Sequence, residues 1–137
     1  MSDDLALRSV LADPSLACTG FVSRTERGDY EAAATALGFE VAAVDFQGCT
    51  GKDDALARFA RALRFPDWFG DNWDALQDCL DDLSWLPAAG YLLLIDHGDA
   101  LQDAAPGDFA TLLDILDEAA RRHAANGMPF WALLPRA

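Results

Sequence analysis

Four aspartates, Asp74, Asp78, Asp81 and Asp82, crowd into the stretch WDALQDCLDDL at residues 73–83. At about 100° per residue on a helix, they fall within an arc of roughly 100°. Trp73, Leu76, Cys79, Leu80 and Leu83 fall on the other side, so the stretch reads as a helix with one apolar and one aspartate face. Carboxylates so arranged have three chemical uses: acid–base catalysis, cation binding, or contact with a cationic surface. Glycosidase-type catalysis needs a sugar-sized cleft and one acid kept protonated, and nothing in the sequence suggests a desolvated carboxyl. A hard cation needs oxygens wrapped around it, whereas side chains along a helix point outward, and the calcium-loop pattern is absent. Contact with a cationic surface is the use that remains. The face is also costly to fold. Like charges at i, i+4 destabilise a helix by about 0.2–0.5 kcal/mol per pair. Asp is a mediocre helix former, and only Asp74 sits at the helix start, where the dipole favours it.

The charge of the whole chain follows the same pattern. Its formal value is -13, from 23 acidic and 10 basic residues. Residues 65–120 contain no Lys or Arg and 13 of the acids, while the rest of the chain balances. Such a surface excludes nucleic acid and anionic membranes as partners, because phosphate binding needs basic side chains. A basic protein fits it.

Other candidate chemistry is sparse. Cys18, Cys49 and Cys79 are odd in number with no C-x-x-C pair, which predicts buried free thiols, no disulfide framework and no zinc site. His97 lies in Asp96-His97-Gly98-Asp99 after an apolar run, at a strand end where α/β sites often form. It is the one alternative catalytic centre, with Asp96 or Asp99 as partner, but it lacks a nucleophile because Cys79 should face the core. His123, beside Arg121 and Arg122, reads as a helix-end cation. No metal or cofactor is expected. The acidic start Met1-Ser2-Asp3-Asp4 has no signal-peptide pattern, and no apolar run approaches the ~20 residues of a membrane span, so a cytoplasmic location is expected.

The elements that position these residues follow from local pattern. Residues 1–18 are ambiguous, with Leu5, Leu7, Val10 and Leu11 compatible with a short helix. Residues 18–23 are a candidate strand. Residues 30–37 read as a helix stopped by Gly38, and the β-branched run 39–46 as a strand. Leu56, Phe59, Ala60 and Leu63 give a helix that Pro66 terminates. Asn72 is the expected cap of the aspartate helix. Residues 91–95 (YLLLI) read as a strand buried on both faces. Residues 108–125 read as a long helix ended by Asn126-Gly127, and 129–134 as the last strand. Strands separated by helices imply parallel pairing, hence an α/β layer fold.

The run Pro66-Asp67-Trp68-Phe69-Gly70-Asp71-Asn72-Trp73-Asp74-Ala75-Leu76-Gln77-Asp78-Cys79-Leu80 resembles the signature of the barstar family: an aromatic pair, Gly, an acid, Asn, an apolar residue, then D-A-L-x-D-C-L. The resemblance extends over residues 39–137. It implies a two-layer fold with a three-stranded parallel sheet covered by helices, residues 18–23 being a candidate fourth strand. Residues 1–38 would then be an N-terminal extension packed on that domain. The resemblance also implies an intracellular, non-enzymatic inhibitor, a monomer binding one-to-one to a basic ribonuclease of the barnase type or another basic toxin. Trp68, Asp71, Asp74, Gln77, Asp78, Asp81 and Asp82 would form the partner-binding surface, with Gly70 and Asn72 structural. The chain departs from the family prototype at Gln77 and Leu83, which replace large aromatics, and at Ala110, which replaces a glutamate. A barstar-like module with a basic partner other than a ribonuclease is the alternative reading.

Overall fold

Residues 91–95 present apolar side chains to both sides of a pleat, so a strand here must be covered twice. The computed structural model, which describes residues 2–136, places this strand inside a four-stranded parallel sheet. Met1 and Ala137, the outer ends of the two expected segments, lie outside the described residues. The chain order is α1 (Ser2–Leu11), a 3-10 turn (Pro14–Leu16), β1 (Thr19–Ser23), α2 (Arg27–Ala36) and β2 (Glu40–Asp45). It continues with α3 (Lys52–Ala62), α4 (Trp73–Asp82), β3 (Tyr91–Asp96), α5 (Gly98–Ala104), α6 (Pro106–Ala125) and β4 (Phe130–Arg136). The sheet order is β1-β4-β3-β2.

The candidate fourth strand is therefore present, with Thr19 opposite Ala132 and Ser23 opposite Arg136. The alternation along β3 divides the core in two. Tyr91, Leu93 and Ile95 pack with Leu56 and Phe59 of α3, Leu76 and Leu80 of α4, and Leu112 and Leu116 of α6. Leu92 and Leu94 join Trp131 and Leu133 of β4, under Leu11 of α1 and Ala33 and Ala34 of α2. The α/β class, a parallel sheet covered by helices, is as expected, and the double burial read from residues 91–95 is met by helices on both faces. The reason is the sheet itself, since its second face is as apolar as its first.

Two details differ from expectation. The long helix after β3 is preceded by α5, because Ala105 leaves the helical conformation (φ -151°) and Pro106 opens a new helix. Cys49 and Cys79 are buried, but Cys18 is exposed, lying just outside the sheet edge. Among the described residues, no helix is long and apolar enough to cross a membrane.

The N-terminal residues are integral to this packing. Trp131 Nε1 donates a buried hydrogen bond of 2.9 Å to the Leu11 carbonyl, tying α1 to β4. Deleting residues 1–38 is expected to expose Leu92, Leu94, Trp131 and Leu133 and to abolish cooperative thermal unfolding. Trp131→Phe in the full chain should cost about 1 kcal/mol in denaturant unfolding. A cooperative melt of the deletion fragment would contradict this account.

Candidate functional site

The loop between α3 and α4 is fixed from both ends. Pro66 forces the chain out of the helix, and Arg64 adopts a left-handed conformation (φ 53°) just before it. Trp85 Nε1 donates to the Leu63 carbonyl at 2.9 Å, satisfying an acceptor left open at the end of α3. Phe65 packs edge-on against Phe69 (4.8 Å) and Trp85 (5.9 Å). Trp68 leans edge-on against Trp85 at 6.4 Å, yet remains 61% exposed. A rigid aromatic base thus presents one indole to solvent.

Asn72 is the cap expected from sequence. Its Oδ1 accepts from the Ala75 N–H at 2.7 Å, and its Nδ2 donates to the Gly70 carbonyl at 3.2 Å. The same side chain starts the helix and closes the turn before it. The left-handed residue of that turn is Asp71 (φ 54°), next to Gly70. A Cβ on Gly70 would meet Asn72 Nδ2 at 3.5 Å and Ala75 Cβ at 3.6 Å, ordinary contact distances.

The apolar face of α4 is buried through Leu76, Cys79 and Leu80, and Leu83 follows them into the core. The last carbonyls of the helix find partners in that core. His123 Nε2 donates to the Leu80 carbonyl at 2.7 Å, its ring stacked on Phe130 with centroids 5.3 Å apart. The Tyr91 hydroxyl donates to the Leu86 carbonyl at 2.7 Å, just beyond the helix. His123 is therefore a buried donor, although the sequence suggested a helix-end cation. A signal was present: His123 continues the inward stripe of Leu112, Leu116 and Ala120 along α6. Burial also pushes the Cys79 thiol up to about 11, with the Asp78 and Asp82 carboxylates adding to it.

The expected partner-binding residues separate into two groups. Trp68, Asp71, Asp74, Asp78 and Asp82 are open to solvent. Gln77 and Asp81 turn into the seam between α4 and α6. Gln77 Nε2 donates to Asp81 Oδ1 at 3.0 Å and to the Ile115 carbonyl at 3.3 Å. Arg122 Nε lies 3.4 Å from Asp81 Oδ2, and the Asp81 side chain is only 16% exposed. Burial pushes the Asp81 carboxyl above the usual carboxylate range, opposed by the Gln77 hydrogen bond and by Arg122. The aspartate face thus has local relief at one position, from a cation 41 residues downstream.

His97 has a different partner from either of those expected. Its Nδ1 lies 2.7 Å from Asp45 Oδ1, at the end of the neighbouring strand β2. Asp96 is taken by Arg27, whose Nε and a terminal nitrogen bind its two oxygens at 2.8 and 2.7 Å. Among the described residues, no group of three or more His, Cys, Asp and Glu side chains could hold a metal ion.

Comparison with known proteins gives one family and several fold neighbours. The family model described as Barstar (barnase inhibitor) matches residues 39–135. No curated protein matches the chain. Among solved structures, the Aeropyrum pernix ORC2 protein in ADPNP–ADP complexes is 18% identical with a TM-score of 0.59, over 98% of this chain and 40% of that one. The Aeropyrum pernix ORC1 protein in complex with DNA is 18% identical with a TM-score of 0.51, over 99% and 38%. Drosophila ORC bound to DNA is 19% identical with a TM-score of 0.52, over 96% and 36%. The chain thus spans 40% or less of these proteins, and the likeness is one of fold alone.

The two groups of acids should respond differently to substitution. Asp74→Ala and Asp78→Ala are expected to shift unfolding free energy by no more than about 0.5 kcal/mol, as solvated surface positions do. Asp81→Asn should stabilise the protein at neutral pH. The raised carboxyl of Asp81 contributes stability below its unfolded pKa and loses it as pH rises through the folded one. The gain of Asp81→Asn should therefore shrink as pH falls, when measured by urea unfolding across the acidic range.

Proposed function

The chain belongs to the barstar family, and from that premise we propose that it is a protein inhibitor. It binds a basic ribonuclease of the barnase type and covers the nuclease active site with Trp68 and the exposed acids of α4. The observation that carries this reading is one surface: Asp71, Asp74, Asp78 and Asp82 open to solvent beside a 61%-exposed tryptophan. A ribonuclease site gathers cationic side chains to grip phosphate. Carboxylates held at fixed spacing on a helix can replace the phosphates, and an indole can stack where a base would lie. The inhibitor supplies no chemistry of its own. It acts inside the cell as a monomer, one per nuclease.

A second reading keeps the surface and changes the partner. Gln77, which replaces an aromatic of the family prototype, is hydrogen-bonded into the α4–α6 seam. The rim of the contact surface is correspondingly smaller, which suits a basic protein of different shape. The order of importance within the site is the same in both readings: Asp74 and Asp78 at the centre, with Trp68, Asp71 and Asp82 around them.

Titrating the protein into a barnase-type nuclease should abolish RNA cleavage at a one-to-one ratio. No inhibition of any such nuclease at micromolar concentration would leave only the second reading. Asp74→Ala and Asp78→Ala should each weaken binding at least tenfold, about 1.4 kcal/mol, mainly through faster dissociation. Association should slow steeply with added salt, because acids outnumber bases so heavily in residues 65–120. Stopped-flow rates that ignore ionic strength would argue against electrostatic steering.

A further inference from the structure

A second cluster of polar side chains lies at the C-terminal end of the sheet and takes no part in the surface just described. All four strands run parallel, so their C-terminal ends share one edge. In such sheets ligands bind in the crevice where neighbouring connections leave on opposite faces. Here β1 leads to α2 on one face and β3 leads to α5 and α6 on the other, with β4 between them. Loop 64–72 belongs to the opposite end of the sheet, where Arg64 lies 3.8 Å from Glu40 at the start of β2.

Two adjoining cavities of about 260 and 230 Å³ occupy this crevice and share Arg24 and Pro135 as walls. Phe21, Asp99 and Arg136 line the larger, and Arg27 and His97 the smaller. The Arg136 guanidinium is preset: it donates to Gln102 at 3.0 Å and lies 3.9 Å above the Phe21 ring. Among the described residues, neither Arg24 nor Arg136 has a carboxylate partner. In a chain with a formal charge of -13, this cavity brings two arginines without an ion pair together, with Asp99 the carboxylate that lines it beside them. Arg27, nearby, shows the ordinary case, bound to both Asp96 and Glu31. His97 adds a local strain, φ 57° in a non-glycine residue, held by its bond to Asp45. Such strain tends to collect at ligand sites.

We propose that this crevice binds a phosphate monoester of a small polyol, with the phosphate between Arg24 and Arg136 and the hydroxyls donating to Asp99. Guanidinium forks match phosphate oxygens in geometry and charge. Asp99 opposes a bare anion but accepts from hydroxyl groups, which selects a sugar phosphate over inorganic phosphate. Phe21 and Pro135 offer apolar surface to the carbon skeleton. Phe21 and Arg24 come from residues outside the family match, so the site belongs to this chain through its N-terminal residues.

The test uses the full, isotope-labelled chain, titrated with ribose 5-phosphate, inorganic phosphate and ribose while amide shifts are followed. Ribose 5-phosphate should give saturable shifts at Arg24, His97, Asp99 and Arg136. Inorganic phosphate should give weaker ones and ribose none. Arg24→Ala should weaken ribose 5-phosphate binding at least tenfold with an unchanged melting temperature, because its side chain has no ion-pair partner among the described residues. Asp99→Asn should narrow the preference for ribose 5-phosphate over inorganic phosphate. Absence of saturable shifts at millimolar ribose 5-phosphate would overturn the proposal, as would equal shifts from ribose or unchanged binding by the Arg24→Ala variant.

Discussion

Burial of β3 on both faces is the constraint from which the architecture follows. Tyr91 through Ile95 are all buried, and each large apolar side chain removed from water contributes roughly 1.5–3 kcal/mol. That gain is available only if helices close both sides of the sheet. The α3, α4 and α6 side chains close one, and those of α1 and α2 close the other. The approach to β3 is correspondingly tight. A Cβ on Gly90, just before the strand, would stand 2.6 Å from the Phe39 ring, so any larger residue there would have to displace that ring. The N-terminal residues thus serve the same core that carries α4.

That core makes the aspartate surface tolerable. A ten-residue helix is marginal by itself, and repulsion among Asp74, Asp78 and Asp82 weakens it further. The cost is offset by packing along Leu76, Cys79 and Leu80, by the Asn72 cap, and by the His123 bond to the Leu80 carbonyl. Even Leu83, held left-handed at φ 52°, stays in place because its side chain is fully buried. The helix is clamped at both ends, so the acids project in fixed directions. Fixed directions are what a rigid complementary surface requires, since less freedom is lost on binding.

Charge in this molecule is sorted by position. Several bases are spent inside the fold: Arg27 on Asp96, Arg58 on Asp54, Arg122 on Asp81. Among the charges left without an ion pair, two groups of opposite sign stand out. The acids of α4 form one, and Arg24 and Arg136, which line one cavity at the C-terminal ends of the strands, form the other. An unpaired charge on a surface costs little in water, but clusters of one sign raise the local potential and favour partners of the opposite sign.

The sequence by itself determined the two faces of α4, the Asn72 cap, the stops at Gly38 and Pro66, the double burial of β3 and the family motif. These are local properties, set by helical and strand periods and by the conformational limits of Gly, Pro and Asn, and they survive any tertiary context. Tertiary structure alone decided which arc of α4 stays open. A helical wheel gives angles within one helix, and only the position of α6 shows that Gln77 and Asp81 are covered while Asp74, Asp78 and Asp82 are not. The same holds for pairings across long sequence separations. His97 met Asp45 on β2, although Asp96 and Asp99 were nearer in sequence. Residues 19–23 acquired their role by pairing with β4, and α5 formed against a core that the local pattern did not describe. Such contacts depend on which side chains the packing of the sheet brings together, a quantity that no local spacing encodes.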